Sequence, residues 1–66
     1  MRIKVDEISY ALYIRLDDSP VVESEEIQPW IVLDYNAKNE AIGIEILGIK
    51  KRIPMESLKK LQFETI

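Results

Sequence analysis

Hydrophobic and polar residues alternate along much of this chain, most sharply between Trp30 and Leu47. Ile31, Leu33 and Tyr35 are interleaved with Trp30, Val32 and Asp34. Beyond a polar stretch, Ile42, Ile44 and Ile46 are interleaved with Ala41, Gly43, Glu45 and Leu47. A period of two sends every second side chain to the same face of a strand, so this stretch predicts a β-hairpin with one buried face. Setting Leu33 opposite Ile44 puts Ile31 opposite Ile46 and Tyr35 opposite Ile42. The loop left over is about four residues long, a common hairpin length. Asn39 is expected to carry positive φ there, because Asn tolerates the left-handed region better than most residues. A slip by one residue would turn the isoleucines to water, and burial forbids it.

The same alternation predicts two earlier strands. Met1, Ile3 and Val5 alternate with Arg2, Lys4 and Asp6, with a turn expected near Asp6–Glu7. Tyr10, Leu12, Ile14 and Leu16 alternate with Ala11, Tyr13 and Arg15. A hairpin is the economical connection between them. Asp17-Asp18-Ser19-Pro20 has the composition of a turn. The stretch from Val21 to Ile27 reads as a short edge strand whose carboxylates discourage pairing with another chain, and Gln28-Pro29 ends it.

After Leu47 the period changes. Gly48 breaks the strand and Lys50-Lys51-Arg52 forms a basic connection. Pro54 fits the start of a helix, where its missing N–H costs nothing. Met55, Leu58 and Leu61 then recur at helical spacing, with Lys59 and Lys60 toward the end, where cations suit the helix dipole. A helix of about eight residues is unstable alone. It is therefore expected to lie on Ile42, Ile44 and Ile46, with Phe63 and Ile66 closing the chain as a packed tail. The expected fold is α+β: an antiparallel sheet of four to five strands, built from hairpins, with one short C-terminal helix on its apolar face. Residues 1–66 make one domain, with the sheet in 1–47 and the basic connection, helix and tail in 48–66.

The second sheet face carries Tyr13, Arg15, Trp30, Val32, Asp34, Glu45 and Leu47. Its apolar zone, Tyr13, Trp30, Val32 and Leu47, is the candidate interface, since exposed apolar patches rimmed by charge mark interaction sites. A chain of 66 residues has a thin stability margin, and oligomerisation is one remedy. A homodimer is the expectation.

Composition narrows the chemistry. With no Cys and no His there is neither thiolate chemistry, nor an ordinary catalytic triad, nor the usual structural zinc site. Gly43 and Gly48 are the only glycines, so no glycine-rich phosphate loop exists. Asp34 and Glu45 should share the mixed face, with Arg15 as a possible ion partner. Two carboxylates there could act as an acid–base pair or hold a divalent cation, but solvent-facing strand residues explain them as well. Glu23, Glu25 and Glu26 lack the Asp/Asn/Gly pattern of a calcium loop. No cofactor, metal or enzymatic activity is expected.

Charge is unevenly placed within a net −3: residues 1–47 hold four basic and ten acidic side chains, residues 48–66 five basic and two acidic. Lys50, Lys51, Arg52, Lys59 and Lys60 are too few, in too acidic a chain and without interleaved aromatics, to indicate a nucleic-acid surface. No apolar run is long enough for a membrane span and no signal-peptide core is present, so a cytoplasmic protein is expected.

Ala11-Leu12-Tyr13-Ile14-Arg15-Leu16, Glu23-Ser24-Glu25-Glu26, Leu33-Asp34-Tyr35 and Gly43-Ile44-Glu45-Ile46-Leu47 follow one another in this order. Over roughly residues 1–52 the chain resembles a small prokaryotic family, domain of unknown function 2283. The resemblance implies a compact β-sheet domain with no established activity. Some members sit beside small toxin-like genes, which implies an antitoxin-like role as the alternative to a homodimer; the net −6 of residues 1–47 would suit a small basic toxin as its partner. Two positions depart from the family pattern. Tyr10 replaces the usual Asp before Ala-Leu-Tyr, and Asn39-Glu40 replaces the usual Asp-Gly-like turn.

Overall fold

The computed structural model describes residues 1–65, and every side chain among them except that of Lys50. Five strands form one antiparallel sheet: β1 (Arg2–Asp6), β2 (Ala11–Arg15), β3 (Glu23–Gln28), β4 (Ile31–Tyr35) and β5 (Ala41–Ile46). Their order is β1-β2-β5-β4-β3, so β5, the last strand in the chain, lies at the centre. The β1–β2 hairpin and the β3–β4–β5 meander are each local, and the β2–β5 pairing joins them.

Side-chain hydrogen bonds shape the turns. Asp6 Oδ1 accepts from the amides of Ile8 and Ser9 at 2.9 and 3.1 Å, and Tyr10 closes that turn with φ 55°. Asp17 Oδ1 accepts from the amide and hydroxyl of Ser19, both at 2.6 Å, which makes the expected turn after β2. In the β4–β5 loop the buried Asn36 takes the amides of Lys38 and Glu40 on its Oδ1, each at 3.0 Å, and donates from Nδ2 to Glu40 at 2.9 Å. Asn39 has the expected positive φ, 62°.

Leu33 faces Ile44 and Ile31 faces Ile46, as the alternation predicts. Tyr35, however, faces Ala41 rather than Ile42, because the register shifts after Asp34 and leaves Ile42 as an extra residue. Such a bulge adds a residue to one strand and strengthens the local twist. A second register shift, at Ile27, interrupts β3.

The helix departs most from expectation. It spans only Met55–Leu58 (α1), following a single 3-10 turn at Ile49–Lys51, so the fold is essentially all-β and not α+β. Nor does α1 cover the apolar face. Leu58 is its one buried residue, while Leu61 and Phe63 are 60% and 81% exposed. α1 sits instead at the β1–β2 turn, where Lys59 pairs with Glu7 at 3.2 Å and Met55 and Leu58 share a groove with Val5 and Ile8. Ile49, which lies outside every periodic stretch, is the most thoroughly buried large side chain, and its amide donates to the Tyr10 carbonyl at 2.7 Å. Ile66, expected in the tail, lies outside the described residues.

With no second layer, the sheet keeps a thin core. Among the described residues the buried hydrophobics are Ala11, Ile42, Ile49 and Leu58. Ile14, Ile31, Leu33, Ile44 and Ile46 on the apolar face are only half-buried, and Ile3 and Leu16 are exposed. The accessible surface is 5322 Å², against about 4,300 Å² for a folded monomer of this mass. The radius of gyration is 12.7 Å, where about 11 Å is usual for this length. The surplus comes from the bare sheet face and the tail past Leu58.

Candidate functional site

The mixed face is built in rows across the strands. One row runs Arg2, Arg15, Gly43, Asp34 and Ser24; the next runs Lys4, Tyr13, Glu45, Val32 and Glu26. Asp34 therefore lies opposite Gly43 and diagonal to Glu45, as the hairpin register predicts. Gly43 is what allows this packing. A Cβ there would stand 3.1 Å from Asp34 Oδ2 and 3.4 Å from Asp34 Cβ, so the carboxylate rests on bare backbone.

Asp34 is 8% exposed, and Ser24 on the edge strand donates its hydroxyl to Oδ1 at 2.6 Å. Burial, together with a hydrogen bond to Asp34 and that residue's negative charge, pushes the Glu45 carboxyl up to about 7. Arg15 does not neutralise the two carboxyls, contrary to the ion pairing considered from sequence. Its guanidinium donates instead to the carbonyls of Asp17 and Ser19. Asp34 lines a cleft of about 300 Å³ together with Arg2, Lys4, Asp6, Tyr13 and Arg15. Arg2 is held at the rim by Asp18, 3.0 Å away.

Chemically, the arrangement is two neighbouring carboxyls fixed on one face of a sheet, that of Glu45 raised by burial and by Asp34. Among the described residues no three acidic side chains come together as a metal-holding group. Glu23 and Glu25 point to one face of β3 and Glu26 to the other, so that run does not converge.

The four interface candidates separate into two pairs. Tyr13 and Val32 flank Glu45 in one row, both half-buried. Trp30 and Leu47 lie at the end of the sheet, where the Leu47 amide donates to the Trp30 carbonyl at 2.8 Å and both line a groove with Glu26 and Pro29. Trp30 is 46% exposed but already engaged within the chain. It follows Pro29 in a two-residue turn with φ 75°, its ring lies against Gly48, and the Lys51 ammonium sits 5.2 Å from the ring centroid. Ser24 and Asn36 were missed from sequence. Asn36 carried a readable signal, since Asn at the head of a polar loop commonly bonds amides two residues on. Ser24 carried none, because nothing in the pattern of β3 pairs it with Asp34.

Fold and site together define a small single-sheet β domain with one apolar face and one carboxyl-bearing face. The chain belongs to the family described as Protein of unknown function (DUF2283), whose model matches residues 2–50. That span holds all five strands and the carboxyl pair and excludes α1. No curated protein and no solved structure matches the chain. Among the described residues no helix is long and apolar enough to cross a membrane.

Proposed function

We propose that this protein is a non-enzymatic interaction module that works as a homodimer. The observation that supports this reading is the missing second layer. A sheet with one hydrophobic face must bury it against another element, and among the described residues no element does so. The surplus of about 1,000 Å² over a typical folded monomer is comparable to the roughly 800 Å² that each partner contributes to a standard interface. The protein is expected to act within the cytoplasm. Sedimentation equilibrium tests the reading: a dimer is expected at tens of micromolar, and a monomer at high micromolar concentration would overturn it.

The edge strand favours a second reading, an antitoxin-like protein that caps a small basic partner. Every residue of β3 is exposed, and Glu23, Glu25 and Glu26 lie along it. Electrostatic pairing of this kind weakens steeply with salt. Co-purification from the native host, with washes of rising salt, distinguishes the two: recovery of the protein alone leaves the second reading without support.

A further inference from the structure

We infer that the cleft on the mixed face binds a small zwitterion of the ω-amino acid class, with its ammonium group on Asp34 and its carboxylate toward Lys4. This does not rest on the homodimer reading, because Lys4, Tyr13, Arg15 and Asp34 all stand on the face opposite Ile14, Leu33 and Ile44.

The first observation is a buried carboxylate without a counter-ion. Asp is almost never buried unless paired, since burial strips water from the charge. Asp34 is only 8% exposed. Ser24 donates a hydroxyl to Oδ1, but among the described residues no cation pairs with Asp34. Gly43 is what lets the carboxylate sit here, since a Cβ on it would come within 3.1 Å of Oδ2. Glycine inside a strand often marks the close approach of a ligand. Asp34 lines the cleft, so a cation from outside has a route to it.

The second observation is the set of cations across the same cleft. Lys4 is exposed, lines the cleft and makes no ion pair among the described residues. Arg2 is tied to Asp18, and Arg15 to the carbonyls of Asp17 and Ser19, so neither swings across to neutralise Asp34. Asp6, also in the lining, spends Oδ1 on the amides of Ile8 and Ser9. The cleft is therefore bipolar. A simple cation would be opposed by Lys4, Arg2 and Arg15, and a simple anion by Asp34. A zwitterion satisfies both ends.

The spacing selects the class. Through its packing on Gly43, the Asp34 carboxylate rests against β5, two strand spacings or about 10 Å from β1. Allowing about 3 Å for the contact at each end leaves about 4–5 Å between the two charges of the ligand. An α-amino acid is too short for this, whereas a chain of about three methylenes spans it. The cavity, about 300 Å³, is of the size that holds a small ligand.

The test is an NMR titration of the full chain with 4-aminobutyrate, and with butyrate and butylamine as its two single-charge halves. The expected result is saturable shifts at the amides of Lys4, Tyr13 and Gly43, with Trp30 at the far end unmoved. The Kd for 4-aminobutyrate should be at least ~10-fold lower than for either half. Asp34→Asn keeps a side-chain acceptor for Ser24 and removes the charge; it should raise that Kd at least ~10-fold, and Lys4→Gln should raise it several-fold. Lys4 is exposed, so Lys4→Gln should fold as wild type and keep the inference testable even where Asp34→Asn does not fold. No saturation by 4-aminobutyrate up to ~10 mM would overturn the inference. So would equal affinity for butyrate or butylamine, which would mean a site for one charge only, or unchanged affinity in Lys4→Gln. Sedimentation of the same samples reads the homodimer separately, so either idea can fail without the other.

Discussion

At the scale of single residues, Glu45 links stability to pH. Its carboxyl is raised to about 7 from an ordinary 4.5. The folded chain therefore keeps a proton that the unfolded chain gives up between those values. Stability should fall as pH rises from about 4.5 to 7 and level off above. Glu45→Gln keeps a hydrogen-bond donor toward Asp34 and removes the ionisation. Urea midpoints at pH 5 and pH 8 should differ for wild type, the lower at pH 8, and converge for Glu45→Gln. Asp6 and Asp17 work in the opposite sense. The amides of Ser9 and Ile8 lower the first, and the hydroxyl and amide of Ser19 lower the second. Their contributions are lost only as pH drops through values below 3.8. Gly43 shows the same economy of space: a strand interior normally disfavours glycine, but here a methyl group would crowd Asp34 Oδ2 at 3.1 Å.

At the scale of elements, the β3–β4 turn depends on a partner far along the chain. Trp30 occupies a left-handed position normally given to glycine, and a Cβ on Gly48 (φ 58°) would lie 2.6 Å from two atoms of its ring. Gly48→Ala should cost roughly 2–4 kcal/mol from backbone strain and overpacking. In a Trp30→Ala background the overpacking vanishes, so a double-mutant cycle by chemical denaturation should show strong non-additivity. α1 depends on one side chain. Leu58→Ala should cost about 2–3 kcal/mol, whereas breaking the exposed Glu7–Lys59 pair should change little. This contrast separates apolar docking of α1 at the hairpin turn from ion pairing. The strands and their faces were legible in the sequence because alternation is local, and with a short loop it set Leu33 against Ile44 and Asp34 against Gly43, as the sheet has them. The bulge at Ile42 was not legible, since two registers keep the same faces and differ only in loop geometry. α1 was overextended because Leu61 falls at helical spacing, yet spacing alone holds no helix without a surface to lie on. The placement of Asp34 diagonal to Glu45 follows from the hairpin register, but the burial of the pair and the diversion of Arg15 depend on tertiary packing around Ser19 and Ser24.

At the scale of the whole molecule, a five-stranded sheet without a covering layer has little hydrophobic burial to set against chain entropy. Folding and association should therefore be coupled. Thermal midpoints should fall by about 5 °C for each tenfold dilution, as expected by mass action for a dimer of this size. A midpoint independent of concentration would mean that the single sheet is self-sufficient.

The central position of β5 has a consequence for chain continuity. β1–β2 and β3–β5 are separate local units, held side by side by the seam between β2 and β5 and by Ile49 against Tyr10. The link from Asp17 to Val21 therefore ties them together without completing any ladder inside either unit. Cutting between Pro20 and Val21 would spare both Arg15 hydrogen bonds and every strand pair. Co-expressed pieces 1–20 and 21–66 should reassemble and co-purify, with affinity supplied by the β2–β5 seam. This fold is thus a natural two-piece protein, in which the smaller piece is a hairpin that recognises the free side of a central strand.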